Sequence, residues 1–371
     1  MLRILLTLLA LTLAVPAFAA DAPITALAVH PTALALTGMD DAPQLVVTGT
    51  RPDGREIDLT RDAAYSVSDG KIIRVDPSGR VFPLANGSAE IAISYRDKNV
   101  RVTVAARKMD APLPINFAND VVPVFTKLGC SSGGCHGKIA GQNGFRLSLL
   151  GFDPEFDYEN LLKESRGRRV MPAAPDASLL LMKASGRTAH GGGKKLEFGG
   201  EEYKIVRRWI ASGMPYGSPD DPTVTRISIF PESRVLDRQT SQQLAVLAHF
   251  SDGSVEDVTR RAQFESNDTD IAAVSETGVV TTLAATGQAA VMARFSGQVT
   301  VFRAVVPRPG AAVKFDFPDA NPVDRAAAKK WRELNITPSS LASDEVFLRR
   351  VSLDLTGTIP DVEDVIAFVE S

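Results

Sequence analysis

The sequence predicts a multidomain chain: two all-β sandwiches flanking a mainly α segment, followed by a partial α-helical C-terminal stretch. Three observations predict it. An internal repeat brackets a middle segment of different character. The repeated parts alternate apolar and polar residues with period two, as half-buried strands do. The middle and the tail instead carry apolar residues at helical spacing between Gly and Pro breaks. A length of 371 residues suits about two to four domains.

The repeat is explicit. Asp53-Gly54 to Leu59-Thr60-Arg61 matches Asp252-Gly253 to Val258-Thr259-Arg260, an offset of 199. Ser78-Gly79-Arg80-Val81 matches Thr277-Gly278-Val279-Val280 at the same offset, and Leu84-Ala85 matches Leu283-Ala284. Ala89 to Tyr95 and Val100 to Val104 alternate in the first copy, as do Gln243 to Phe250 and Gln298 to Val305 in the second. Asp-Gly and Ser-Gly turns between such short runs mark a sandwich. The copies occupy about residues 24–106 and 223–307.

Composition limits the partners. The charge is −3 with pI near 5.9, so no basic face for nucleic acid is implied. The N-terminus reads as a secretory signal peptide, residues 1–20: Arg3, an apolar stretch from Ile4 to Val15, and Ala17-Phe18-Ala19 as the cleavage site. The apolar stretch is short for a bilayer span, so no stable membrane span is expected after cleavage. The protein is expected to be exported, periplasmic or at the cell surface, where disulfides are permitted.

The middle segment, 112–219, reads as helix and loop. Asp120 caps a first helix carrying Val121, Val124, Phe125 and Leu128, with Pro123 in its first turn and Gly129 at its end. Phe145 to Leu149 reads as a short strand. A helix from Glu201 to Ser212 presents Ile205, Val206, Trp209 and Ile210 on one face, and Gly213 and Pro215 stop it. Asp153, Glu155, Asp157 and Glu159 lack the spacing of a calcium loop and read as a solvated helix start. His30 and His249 fall in strands and read as structural.

The only two cysteines carry the chemistry: Cys130-Ser-Ser-Gly-Gly-Cys135-His136. Two thiols with an adjoining His are the attachment pattern of c-type haem, although four residues separate these cysteines where two are usual. In that reading the thiols bond the haem vinyls and His136 is the proximal iron ligand. A local Cys130–Cys135 disulfide is the second reading, contributing about 2 kcal/mol or less because the loop is small. Zinc is the third, but only His190 lies near in sequence to complete a ligand set.

The context of the cysteines resembles a known family. Phe117, Asp120 and Pro123 precede them, and Gly141 to Gly151 and Arg207-Arg208-Trp209-Ile210 follow. With the β copies, which resemble bacterial Ig-like group 2 domains, this is similar to planctomycete-type cytochrome-c-like surface proteins. The resemblance implies two Ig-like sandwiches around a cytochrome-c-like haem domain at 112–219. A linker at 308–322 and the start of an uncharacterised helical domain at 323–371 follow. It implies a covalent haem c with iron, electron transfer to an unknown redox partner protein, and an electron carrier rather than an enzyme in this portion. The family's distal ligand falls where His190 stands, making His190 the candidate distal iron ligand. Met171 is the runner-up by ligand type. Met182 reads as core, and Met214 follows the closing helix. Arg146, Arg168 and Arg169 are candidates to pair with haem propionates.

The tail reads as helices over Ala326 to Leu334 and Asp344 to Leu355, with a third beginning near Asp361. A domain that needs more residues to bury its core is expected to be cut off at Ser371. The alternative to the haem carrier is a non-haem cell-surface or adhesion scaffold with a Cys130–Cys135 disulfide. A further expectation is that residues beyond Ser371 carry an enzyme that the haem domain serves.

Overall fold

Alternating apolar residues become strands because each strand must bury one face. The computed structural model describes residues 23–318 and 320–371. The expected signal peptide, 1–20, lies outside the described residues.

The first β module contains β1 (Ala26–His30), β2 (Ala33–Thr37), β3 (Val46–Thr50), β4 (Glu56–Asp58), β5 (Ala64–Val67), β6 (Ile73–Val75), β7 (Val81–Pro83), β8 (Gly87–Tyr95) and β9 (Lys98–Arg107). Its sheets run β2-β9-β8-β5, β1-β3-β4 and β6-β7. The β2–β9 pair is parallel and the other pairs are antiparallel. Ala89, Ile91 and Ile93 point inward from β8 and meet Leu36, Leu45, Val47 and Val102 in the core.

The middle segment supplies α1 (Val122–Lys127), α2 (Pro154–Leu162), α3 (Leu179–Ala184) and α4 (Glu201–Ala211). Its core gathers Phe117, Leu161, Leu181, Tyr203, Val206 and Trp209. The cap before α1 is Asn116, whose side chain accepts the Asn119 N–H, while Asp120 reaches back to accept the Asn116 N–H at 2.9 Å. Asn116 thus caps the helical turn Phe117–Val121 that leads into α1, with Asp120 returning a hydrogen bond one position later than in a capping box. Phe145 to Leu149 forms no strand; Gln142 and Phe145 make one isolated bridge, and a helical turn follows at Leu149–Gly151.

The second module contains β10 (Val224–Phe230), β11 (Ser233–Val235), β12 (Ser241–Gln243), β13 (Ala245–Phe250), β14 (Val255–Asp257), β15 (Gln263–Ser266), β16 (Ala272–Val274), β17 (Val279–Thr282), β18 (Gly287–Phe295) and β19 (Gln298–Val306). Its sheets run β11-β19-β18-β15, β10-β13-β14 and β12-β17-β16. Strand for strand this repeats the first module, down to the single parallel pair, β11–β19. Only β12 lacks a named counterpart, and there the first module has a bridge from Gln44 to Arg80.

The expected fold class is corrected here. The described chain is mostly β sandwich, and the middle segment is not a mainly α cytochrome-c-like domain. Its α-helices are 6, 9, 6 and 11 residues long. Pro- and Gly-rich connections interrupt each helical run before it can grow, and isolated helices of such lengths depend on tertiary packing.

The two modules touch through their repeated motif. In each, an Asp-x-Thr-Arg stretch closes its own sheet: Thr60 Oγ1 accepts the Val47 N–H at 2.9 Å, and Thr259 Oγ1 accepts the Val246 N–H at 2.8 Å. The Asp also reaches across. Asp58 Oδ2 accepts the Gln243 N–H at 2.6 Å, and Asp257 Oδ2 accepts the Gln44 N–H at 2.9 Å. Burial pushes both carboxyls above the usual carboxylate range.

The C-terminal unit, 307–371, is described by itself. It holds α5 (Pro322–Glu333), α6 (Asp344–Thr356) and α7 (Val362–Val369). Asn321 caps α5 by accepting the Val323 and Asp324 N–H groups, and Trp331 packs edge-on against Phe317 at 4.9 Å. Phe347 of α6 stacks with Phe368 of α7 at 6.1 Å.

Candidate functional site

The middle segment encloses a cavity of about 700 Å3 lined by Cys130, Cys135, His136 and His190. Thus the four residues singled out in sequence do come together. Backbone hydrogen bonds knot the cysteine loop. The His136 N–H donates to the Cys130 carbonyl at 2.9 Å, the Gly137 N–H to Ser132 at 3.0 Å, and the Leu147 N–H to His136 at 2.9 Å. Gly137 is required: a Cβ there would lie 2.0 Å from the Ser131 carbonyl oxygen. Gly141, at φ +58°, would bring one to 2.2 Å from the Phe145 carbonyl oxygen.

The two imidazoles face each other across this space, with ring centroids 6.4 Å apart and planes 6° from parallel. His136 Nδ1 meets the Phe145 carbonyl at 3.0 Å, and His190 Nδ1 meets the Gly193 carbonyl at 2.7 Å. A carbonyl can only accept, so Nδ1 carries the proton in each ring. Burial holds the His136 pKa below its ordinary value, with the neighbouring His190 and Arg169 acting in the same direction. His136 is therefore neutral at pH 7.

Both cysteines are free thiols, so the Cys130–Cys135 disulfide of the second reading is not formed. Burial pushes the Cys130 thiol up to about 11. A thiol in that state is a weak nucleophile and a weak metal ligand at neutral pH.

Apolar walls come from Val124, Phe125, Leu128, Leu147, Leu179, Leu180 and Leu196, with Gln142, Asn143 and Thr188 among the polar lining residues. Arg168, Arg169, Lys183 and Lys195 also line it, and among the described residues no Asp or Glu does. Arg169 is tied to the backbone: its guanidinium donates to the carbonyls of Asn160, Glu164 and Gly144 at 2.7–2.9 Å and lies over the Phe145 ring. Lys183 Nζ donates to the Ala189 carbonyl at 2.8 Å. Lys183 and Lys195 were missed in sequence, although Lys183 lies one helical turn from Leu179 and Leu180 and so shares their face.

The haem assignment is corrected. No group of three or more His, Cys, Asp or Glu that could hold a metal ion occurs among the described residues. The described residues are mostly β sandwich, and the short helices of 112–219 do not form the mainly α domain expected to carry haem. The assignments of haem c, iron, cytochrome and electron transfer are withdrawn with it. Met171 is exposed, and neither it, Met182, Met214 nor Arg146 lines the cavity.

Other candidates resolve differently. His249 contacts Ser228 Oγ at 2.9 Å and Arg226 at 3.1 Å, a structural setting. His30 stacks on Phe230 of the second module at 4.0 Å. Asp157 is not solvated: it is 1% exposed and accepts hydrogen bonds from the Ser148 N–H and hydroxyl. Burial pushes its carboxyl up to about 6. Nothing in the acidic run distinguishes Asp157 from its neighbours, because its partner is a loop residue placed by tertiary packing.

The middle segment is seated on both modules by ion pairs. Arg80 grips Glu201 with a bidentate fork, and Arg208 meets Asp40 at 2.6 Å. Lys127 pairs with Glu202 and donates to the Arg260 carbonyl, and Arg261 meets Asp120 at 3.1 Å. Glu201 and Glu202 sit in the first turn of α4, where the helix dipole also favours them.

Residues 322–371 match PSCyt2, a family described as a protein of unknown function (DUF1549). No curated protein matches the chain. Among solved structures, domains 5–6 of the S-layer protein SbsC align at 12% identity over 78% of this chain and 100% of that one, with a TM-score of 0.30. The longer S-layer structure rSbsC(31-844) aligns at 10% identity over 74% of this chain, with a TM-score of 0.21. The chain spans about a quarter of that structure's length, 24%. Invasin, a bacterial integrin-binding protein, aligns at 13% identity over 78% of this chain and 60% of that one, with a TM-score of 0.16. No helix among the described residues is long and apolar enough to cross a membrane.

Proposed function

We propose that the protein is an exported, non-haem cell-surface scaffold. In this reading its two β modules are bacterial Ig-like group 2 sandwiches, at 24–106 and 223–307. They hold a small middle unit between them and lead through 308–322 into a helical domain of the DUF1549 kind. The observation that carries the reading is the joint. Reciprocal Asp58–Gln243 and Asp257–Gln44 hydrogen bonds tie the sandwiches together, and the middle segment is ion-paired to both. Such a build favours a rigid spacer, since tandem modules without a shared interface move independently. Surface proteolysis of intact source cells, read by antibody to residues 223–307, tests it. Cleavage of the protein on unbroken cells is expected; protection until the cells are lysed overturns it.

A second reading concerns the cavity. Apolar walls with four cationic side chains and no carboxylate suit a small apolar molecule bearing an anionic group. Cys130, Cys135, His136 and His190 are then lining residues of a binding pocket. The aromatic sulfonate 8-anilinonaphthalene-1-sulfonate is a direct probe. Saturable fluorescence enhancement weakened about tenfold or more by Lys183→Gln with Lys195→Gln is expected. Enhancement that the double variant leaves unchanged rejects the pocket.

A further inference from the structure

The contacts between the Gln and Asp-x-Thr-Arg positions of the two modules are reciprocal, as a two-fold relation produces, while Arg51–Asp237, Arg55–Asp237 and Arg234–Glu56 join the modules without a reciprocal pair. Gln44 and Gln243 are repeat counterparts, as are Asp58 and Asp257, and Arg61 and Arg260. Asp257 accepts the Gln44 N–H, and Asp58 accepts the Gln243 N–H. Arg260 Nη2 donates to Gln44 Oε1 at 2.9 Å, and Arg61 Nη2 donates to Gln243 Oε1 at 2.9 Å. Each Gln amide is held in turn by its own module, Gln44 Nε2 by the Leu45 and Ser78 carbonyls and Gln243 Nε2 by those of Leu244 and Thr277. His30-Pro31 and Phe230-Pro231 also correspond in the repeat, and the His30 and Phe230 rings stack on each other. A position that meets its own counterpart lies on the axis of an isologous pair.

A two-fold pair has two equivalent faces, yet one middle segment occupies one of them. The residues that grip it are where the copies differ. Arg80, paired with Glu201, has Val279 as its counterpart. Arg261, paired with Asp120, has Asp62, which is exposed. Neither counterpart can bind a carboxylate. Arg260 is half-buried beneath the middle segment, whereas its counterpart Arg61 is exposed.

We propose that residues 23–306 contain an isologous dimer of modules within one chain, and that Arg80 and Arg261 select which of its two faces seats the middle segment. This goes beyond the scaffold reading, because it names the surface and the residues that give it specificity.

Two measurements on the full chain test it. The first is limited proteolysis within 112–219. Arg80→Glu, and separately Arg80→Val with Arg261→Asp, are expected to speed cleavage about tenfold or more, and Arg80→Glu with Glu201→Arg to return it to within about threefold of the parent. Unchanged cleavage in the first two, or a charge-swapped protein cut as fast as Arg80→Glu or unable to fold, overturns the selection. The second is amide hydrogen exchange. Asp58→Ala is expected to speed exchange of the peptide bearing Gln243, and Asp257→Ala that of the peptide bearing Gln44. Changes confined to the mutated module overturn the pairing.

Discussion

The β modules and the segment between them hold themselves together by different means. Each module buries an alternating strand face over its whole length, so its order is continuous and nearly every core residue is aliphatic. The middle segment has short helices and long connections. It depends on a few large side chains, with Trp209 fully buried against Phe117 at 5.1 Å, and on polar pins such as Asp157 and Arg169. Strand pairing spreads stability over many small contacts, whereas a loop-rich unit concentrates it at single residues. The modules should therefore survive single substitutions that release the middle segment.

The sharpest way to break that contrast is Trp209→Ala, which removes the largest buried side chain and strands the Pro215 carbonyl that its indole N–H serves. A loss of about 3–5 kcal/mol is expected, read as urea unfolding of the middle segment ahead of the β signal. A single coincident transition would show that the units share one fate. Asp58→Ala and Asp257→Ala come next, at about 2–3 kcal/mol each, because each leaves buried N–H groups unpaired. Their near-equality is the informative outcome, since the two carboxylates occupy counterpart positions.

Smaller again is the pH effect at the buried acids. Asp157 and Asp41 both have carboxyls raised to about 6, with burial as the main cause. The charged form is penalised in the folded state. That penalty is present in full above about pH 6 and is relieved as pH falls towards the unfolded value near 4. Relative to Asp157→Asn, the wild-type protein should therefore gain about 1.4 kcal/mol of stability as pH falls from 7 to 5, whereas His30, His136 and His249, whose pKa values are lowered by burial, act the other way in both proteins. A difference between wild type and Asp157→Asn that does not change over that interval contradicts the assignment. Thiol titration of the unfolded, unreduced protein should find both Cys130 and Cys135 free; none would mean that the loop closes on oxidation. The smallest expected effect is Glu159→Ala, which removes the exposed pair with Lys163 at the end of α2 and should leave the urea midpoint unchanged within error.

Much of this architecture was legible along the chain. Period-two alternation located the strands because the pleat itself has period two. The Asp-x-Thr-Arg repeat was visible at offset 199, and Trp209 and Val206 were marked as one helix face by spacing alone. The cysteine stretch misled because a local pattern says which groups are near each other, not what fold surrounds them. Cys130, Cys135, His136 and His190 line one cavity, but in a chain of β sandwiches without the ligand set that the pattern implied.

What the sequence by itself determined was local: strand alternation, the repeat and the amphipathic face of α4. Only the tertiary structure decided the rest. Asp58 finds the Gln243 N–H across 185 residues, His30 finds Phe230, and Asp157 finds Ser148. Each such pairing joins groups whose sequence neighbours give no sign of it. The physical reason is that burial, not sequence spacing, makes a polar group need a particular partner. Which groups are buried together is known only once the modules have closed.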